Sequence, residues 1–191
     1  ALSFGGQHPL NLGSRPEWYF EDGKQGGTIN DIGIHAFDFI PWLTGQQFNE
    51  VVAAREWNAR VPQFPAIREA AQIMLTLENG CGVQGDVSYL MPDSFGFTLP
   101  QYWRIMVWGE KGLAECNLHG AIDFYRTGDK EKREVQPDEG DGLIPIKAFL
   151  NEIEGNKNPE LTTAEVLRAS YISLSTQKAA DENLTYVKLE A

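Results

Sequence analysis

The sequence predicts an α+β domain: a large, mostly antiparallel open β-sheet of about seven or eight strands, with helices on one face. Three observations carry this. Between residues 50 and 136, short alternating runs recur, separated by turns rich in Gly, Pro and Asn. Residues 26–45, 143–154 and the segment after Thr162 instead repeat their apolar side chains at helical spacing. The 191 residues are 42% hydrophobic, enough for one sizeable core, so residues 1–191 are expected to form a single domain.

In chain order, residues 1–4 read as the end of a short or frayed strand. Residues 5–27 are too rich in Gly and Pro for an element and too aromatic for a linker, so they read as a long loop. It carries His8, Arg15, Trp18, Tyr19 and Phe20. Leading to a helix N-terminus, it can line a pocket, with Arg15 gripping an acidic or hydroxyl-rich ligand and Trp18 stacking on a flat or sugar-like face. The same aromatics could instead pin the loop to the core.

Residues 26–45, GGTINDIGIHAFDFIPWLTG, read as one helix, capped by Thr28 or Asn30 and closed by Gly45. Ile29, Ile32, Ala36, Phe39, Ile40 and Leu43 form its apolar stripe, while Asp31, His35, Asp38 and Trp42 fall on a second line. Pro41 should kink or tighten the last turn. A carboxylate one turn before an imidazole is the make-up of a general base, and equally of an ordinary pair on a helix surface.

Residues 50–54, 71–77, 83–89, 102–108, 113–117, 121–125, 132–136 and 185–189 read as strands, with Asn79-Gly80 as a type I′ hairpin signal. Met74, Trp103 and Val107 are candidates for an exposed sheet face. His119 falls at a turn. In residues 143–154, Ile146, Phe149, Leu150 and Ile153 are expected inward; Pro159 restarts the chain, and Thr162 with Glu165 forms a capping box for the last helix.

The glycine pair followed by D-x-G-x-H-x-x-D and W-L-x-G resembles the signature of the second domain of the Gfo/Idh/MocA oxidoreductases. The likeness reaches the C-terminus but covers only the second half of a family member. It implies a C-terminal α+β domain of the dihydrodipicolinate-reductase-like kind, working beside a Rossmann domain that holds NAD or NADP. It also implies catalytic roles for His35 as proton acceptor or donor and for Asp31 as the group that orients it. Arg15, Trp18, Tyr19, Asn30 and Asp38 are the candidate substrate contacts, and the substrate class is a sugar, inositol or related polyol. The family's catalytic lysine, from an E-K-P motif in the Rossmann domain, has no counterpart here, since neither Glu110-Lys111 nor Glu131-Lys132 precedes a proline.

A net charge of −11 without a basic run argues against nucleic-acid or anionic-membrane partners. No apolar run is long enough to span a bilayer, and with Cys81 and Cys116 far apart a cytoplasmic location is expected. Scattered histidines and cysteines argue against a metal, and no nucleophile elbow is present. Asp31, Asp38 and Asp86 could meet as a glycosidase-like carboxylate set. Gly80, Gly82 and Gly85 fit the dinucleotide fingerprint, but strand-like GVQGDVSY follows where a helix is needed, so no cofactor is expected on this chain alone. The other reading is a stand-alone, non-catalytic ligand-binding and dimerisation module. Either way, the open sheet face is expected to join two or more copies.

Overall fold

The computed structural model describes residues 1–117, 120–137, 140, 144–156 and 161–190. The expectations for His119, Leu143 and Pro159 lie outside these. Nine strands form one sheet: β1 (Leu2–Pro9), β2 (Phe48–Trp57), β3 (Ala70–Leu77), β4 (Gly82–Met91), β5 (Trp103–Gly109), β6 (Gly112–Asn117), β7 (Ile122–Arg126), β8 (Arg133–Val135) and β9 (Thr185–Lys188). Their order is β8-β7-β6-β5-β1-β4-β3-β2-β9. All neighbours are antiparallel except β1 and β4, which run parallel. The sheet thus matches the expected class, with one difference at its centre. β1 is neither short nor frayed: it is eight residues long and lies between β4 and β5. Two glycines disguise it. Gly6 lets the backbone approach Ile32 and Trp103, where a Cβ would sit 2.7 Å from Ile32 Cγ2, and Gly5 pairs with Asp86 and Arg104.

Alternation along the strands builds the core. Leu2 and Phe4 of β1, Ile73, Leu75 and Leu77 of β3, and Val83, Val87 and Tyr89 of β4 are buried on one face. Against them pack helix α1 (Ile34–Thr44), through Ala36, Phe37 and Ile40, and helix α3 (Thr163–Asp181), through Ile172 and Ala179. Of the residues expected on the open face, Met74 is 52% exposed, whereas Trp103 and Val107 pack against the core. Pairing explains this: Gly6 lies opposite Trp103, Phe4 opposite Ile105 and Leu2 opposite Val107, so these β5 side chains share the buried face of β1.

The turn between β3 and β4 is a hairpin, but not of type I′. Gly80 has φ 81° while Asn79 does not have a positive φ, and the Leu77 N–H donates to the Cys81 carbonyl. This is the longer loop ending in a left-handed glycine. Helix α2 (Ile144–Ile153) also departs from expectation: Ala148 is its buried residue, and Ile146, Phe149, Leu150 and Ile153 are exposed. Periodicity shows which residues share a face; it does not show what covers that face. The capping box is formed as expected, with the Glu165 N–H donating to Thr162 Oγ1 and the Thr162 N–H to Glu165 Oε2.

Candidate active site

The signature segment does not begin as a regular helix. Ile29–Gly33 forms one π turn, and α1 follows from Ile34. Single π turns are rare and gather at functional sites. Neither expected cap acts as one: Thr28 Oγ1 donates to the Arg68 carbonyl and Asn30 Nδ2 to the Gly26 carbonyl at 2.8 Å. The Ile29 N–H is taken by Glu56 Oε1 of β2 at 2.9 Å, and Gln177 Nε2 of α3 holds the other oxygen at 2.8 Å. A carboxylate from a distant strand therefore anchors the turn, and burial raises its pKa. Asn30 Oδ1 accepts from Ser173 at 2.8 Å, so both ends of its amide tie the segment to its surroundings. At the far end Gly45, φ 65°, closes α1 as expected, while Leu43, expected in the apolar stripe, is 43% exposed and Phe37 is fully buried.

Asp31 projects from the π turn toward the sheet. Its Oδ2 accepts from Tyr19 at 3.0 Å and from the hydroxyl of Tyr89. Both tyrosines are buried, and their rings meet edge to face at 6.2 Å. Burial first, then the Asp31 charge, raises the Tyr19 pKa, so its hydroxyl stays a donor. The Arg15 guanidinium lies 4.5 Å from the Tyr19 ring centroid and 5.5 Å from that of Tyr89, with Nε donating to the Leu10 carbonyl. Trp18, half exposed, leans on Tyr19 at 5.7 Å. Of the candidates the sequence marks, Tyr19 thus meets Asp31, Arg15 lies over the Tyr19 ring, and Trp18 borders it.

His35 is exposed, its ring edge-on to Trp103 at 5.6 Å. Among the described residues no hydrogen bond joins it to Asp31; the carboxylate is engaged by the tyrosines instead. Asp38 turns away, into a cleft of about 630 Å³ shared with Trp42, Glu165 and Arg168. Partial burial, then Glu165, raises its pKa. Asp86 lies on the opposite sheet face, bonded to Gln7 and Gln72, so the three carboxylates do not meet.

Sequence reasoning missed three members of the site: Tyr89, Trp103 and His8. The signal for Tyr89 was its inward alternation with Val83 and Val87, because a buried tyrosine hydroxyl needs a partner. His8 was hidden by reading its strand as a loop. Its ring is enclosed by Tyr102 at 4.7 Å, Phe97 and Trp103 at 6.0 Å and Tyr89 at 6.1 Å. Among the described residues, its Nε2 is buried without a hydrogen-bond partner. Desolvation lowers the His8 pKa to about 4; among the charges, Asp31 raises it while His35 and Arg15 lower it.

With this geometry in view, the family is decided by a match of residues 2–115 to the GFO/IDH/MocA C-terminal domain model. The chain belongs to that family. Solved structures agree with the family fold. An oxidoreductase from Thermotoga maritima is 26% identical with a TM-score of 0.82, over 98% of this chain and 54% of its own. UDP-N-acetylglucosamine 3-dehydrogenase from Acidithiobacillus ferrooxidans is 21% identical with a TM-score of 0.71, over 95% of this chain and 53% of its own. Aldose-aldose oxidoreductase from Caulobacter crescentus is 21% identical with a TM-score of 0.74, over 98% and 55%. The chain therefore spans about half the length of the structures it matches. No curated protein matches it. Among the described residues, no helix is long and apolar enough to cross a membrane, and no cluster of His, Cys, Asp and Glu could hold a metal.

Proposed function

We propose that this domain is the substrate-binding and proton-transferring part of a cytoplasmic NAD(P)-dependent oxidoreductase acting on a sugar, inositol or related polyol. The observation that carries the reading is the Asp31 carboxylate, fixed by two tyrosine hydroxyls beside an exposed imidazole one turn on. Such a site can move a hydroxyl proton as a carbonyl forms. Two structural neighbours, dehydrogenases of UDP-N-acetylglucosamine and levoglucosan, support this reading, and the latter was solved with NADH.

The Gly80, Gly82 and Gly85 triplet does not have the strand-turn-helix setting of a dinucleotide cradle. Gly80 lies in a hairpin turn and Gly82 and Gly85 in strand β4, with no helix N-terminus to meet a pyrophosphate. NAD or NADP would accordingly be held by a nucleotide-binding domain and would supply the hydride chemistry. His35 takes or gives the hydroxyl proton, and Asp31, held off the imidazole by the tyrosines, acts on it through its charge. Arg15, Tyr19 and Trp18 shape the adjoining surface for the substrate.

His35→Ala, made in the protein that joins both domains, should lower kcat by about two to four orders of magnitude without loss of fold, and Asp31→Asn should act less severely. Near-normal turnover in the His35 variant would refute the assignment. Titration of the 191-residue chain with NAD and NADP should show no tight binding; tight binding would reinstate the glycine motif.

A further inference from the structure

Two features beside Asp31 and His35 are not accounted for by proton transfer. The first is Arg15. Its Nε is committed to the Leu10 carbonyl and its Cζ lies over the Tyr19 ring, yet among the described residues it has no carboxylate partner. A guanidinium anchored in this way keeps its two terminal nitrogens as a rigid fork, the geometry that matches a carboxylate with two parallel hydrogen bonds. The second is His8 Nε2 at the end of β1, buried and without a hydrogen-bond partner among the described residues. An orphaned buried polar atom costs stability, and its retention calls for a reason.

Both features border the Tyr89 ring. Arg15 Cζ and the His8 ring lie 5.5 Å and 6.1 Å from the Tyr89 ring, and the two residues influence each other electrostatically. The His8 and His35 rings both stand edge-on to Trp103, at 6.0 Å and 5.6 Å. Asp31, the nearby negative charge, has the oxygen that faces the tyrosines covered by their hydroxyls. What Arg15 and His8 lack is an acceptor bearing negative charge.

We propose, building on the sugar or polyol reading above, that the substrate is a sugar acid whose carboxylate is bound by the Arg15 fork and the Nε2–H tautomer of His8. The hydroxyl that reacts then lies toward His35. Arg15 and His8 act as specificity-determining residues, distinguishing an acid from a neutral sugar of the same ring.

The test is a titration of the 191-residue chain with D-glucuronate and with D-glucose, followed by tryptophan fluorescence, since Trp18 and Trp103 border the site. Glucuronate should bind at least about tenfold more tightly, and the preference should fall below about threefold in Arg15→Met and in His8→Phe. Arg15→Lys keeps the charge but loses the fork, and should fall between the two. His8→Phe preserves the aromatic shape and removes the orphaned nitrogen, so its melting temperature should hold or rise while glucuronate binding weakens. A histidine with a purely structural role would give the reverse, a lower melting temperature with unchanged binding, and would overturn the assignment. Equal affinity for both sugars would overturn the sugar-acid inference and leave the polyol reading standing; binding of neither would overturn both.

Discussion

At the scale of single residues, the site rests on how Asp31 and His8 are satisfied. Asp31 is held by hydroxyls from residues 12 and 58 positions away. Tyr89→Phe should remove one of these bonds while keeping the ring that supports Arg15 and His8. The expected outcome is a loss of about 1–2 kcal/mol in urea denaturation, with a larger effect on kcat than on KM if the carboxylate shifts. His8 makes a separate prediction. Its folded pKa of about 4 lies below the ordinary 6.5, so the unfolded chain binds the proton more readily. The stability tied to neutral His8 is therefore complete above about pH 6.5 and is lost as pH falls toward about 4, by an amount on the order of 2–3 kcal/mol. Glu56, Glu69 and Asp38 have raised pKa values and oppose this trend on acidification. Comparing the chain with His8→Phe by urea denaturation at about pH 7 and pH 4.5 isolates the histidine, because only its contribution differs. The variant should lose less stability between the two. An identical pH response would show that the imidazole is not desolvated.

At the scale of elements, the start of the signature segment is fixed by tertiary partners. Gly26 and Gly27 both have positive φ, 87° and 97°, but a Cβ on Gly26 would meet open space while one on Gly27 would run into the Gln177 amide. Gly26→Ala should therefore cost about 1 kcal/mol for backbone strain alone, and Gly27→Ala at least about 1 kcal/mol more, measured by urea denaturation. Equal costs would mean that Gln177 moves aside freely. This segment also shows why the sequence could be read only in part. Its position, its polar line and its glycine exit are local properties and were legible. Its cap was not, because Glu56 lies 27 residues away and no spacing rule links a strand end to a helix start. The same division holds elsewhere. Eight strands could be read from alternation, but β1 was cut short by Gly5 and Gly6, and the His8 site was lost with it. The Ile146, Phe149, Leu150 and Ile153 stripe was recognised as a face, yet the described fold leaves it uncovered.

At the scale of the whole molecule, the sheet has one face under α1 and α3 and one that the described residues leave without a covering layer. The second face is not uniform. At its centre Gln7, Gln72, Ser88 and Asp86 form a hydrogen-bonded group, with Gln7 Nε2 donating to Asp86 at 2.6 Å. To either side lie apolar side chains, Met74 at 52% exposure on β3 and Trp108 of β5 and Tyr125 of β7 at 43% and 42% toward the β8 edge. A satisfied polar centre between apolar flanks can meet its own copy across a two-fold axis, since each flank then finds the other's polar centre or flank without leaving an unpaired charge. The chain should therefore run as a dimer in size-exclusion chromatography with light scattering at micromolar concentration. Met74→Glu together with Trp108→Glu would set like charges against one another at that interface and should yield a monomer whose melting temperature, read at low concentration, is little changed. A monomer from the unaltered chain would refute self-association. A dimer that survives both substitutions would move the interface off this face, to the exposed apolar side chains of α2 and α3, where Leu150→Glu is the variant that should then dissociate it.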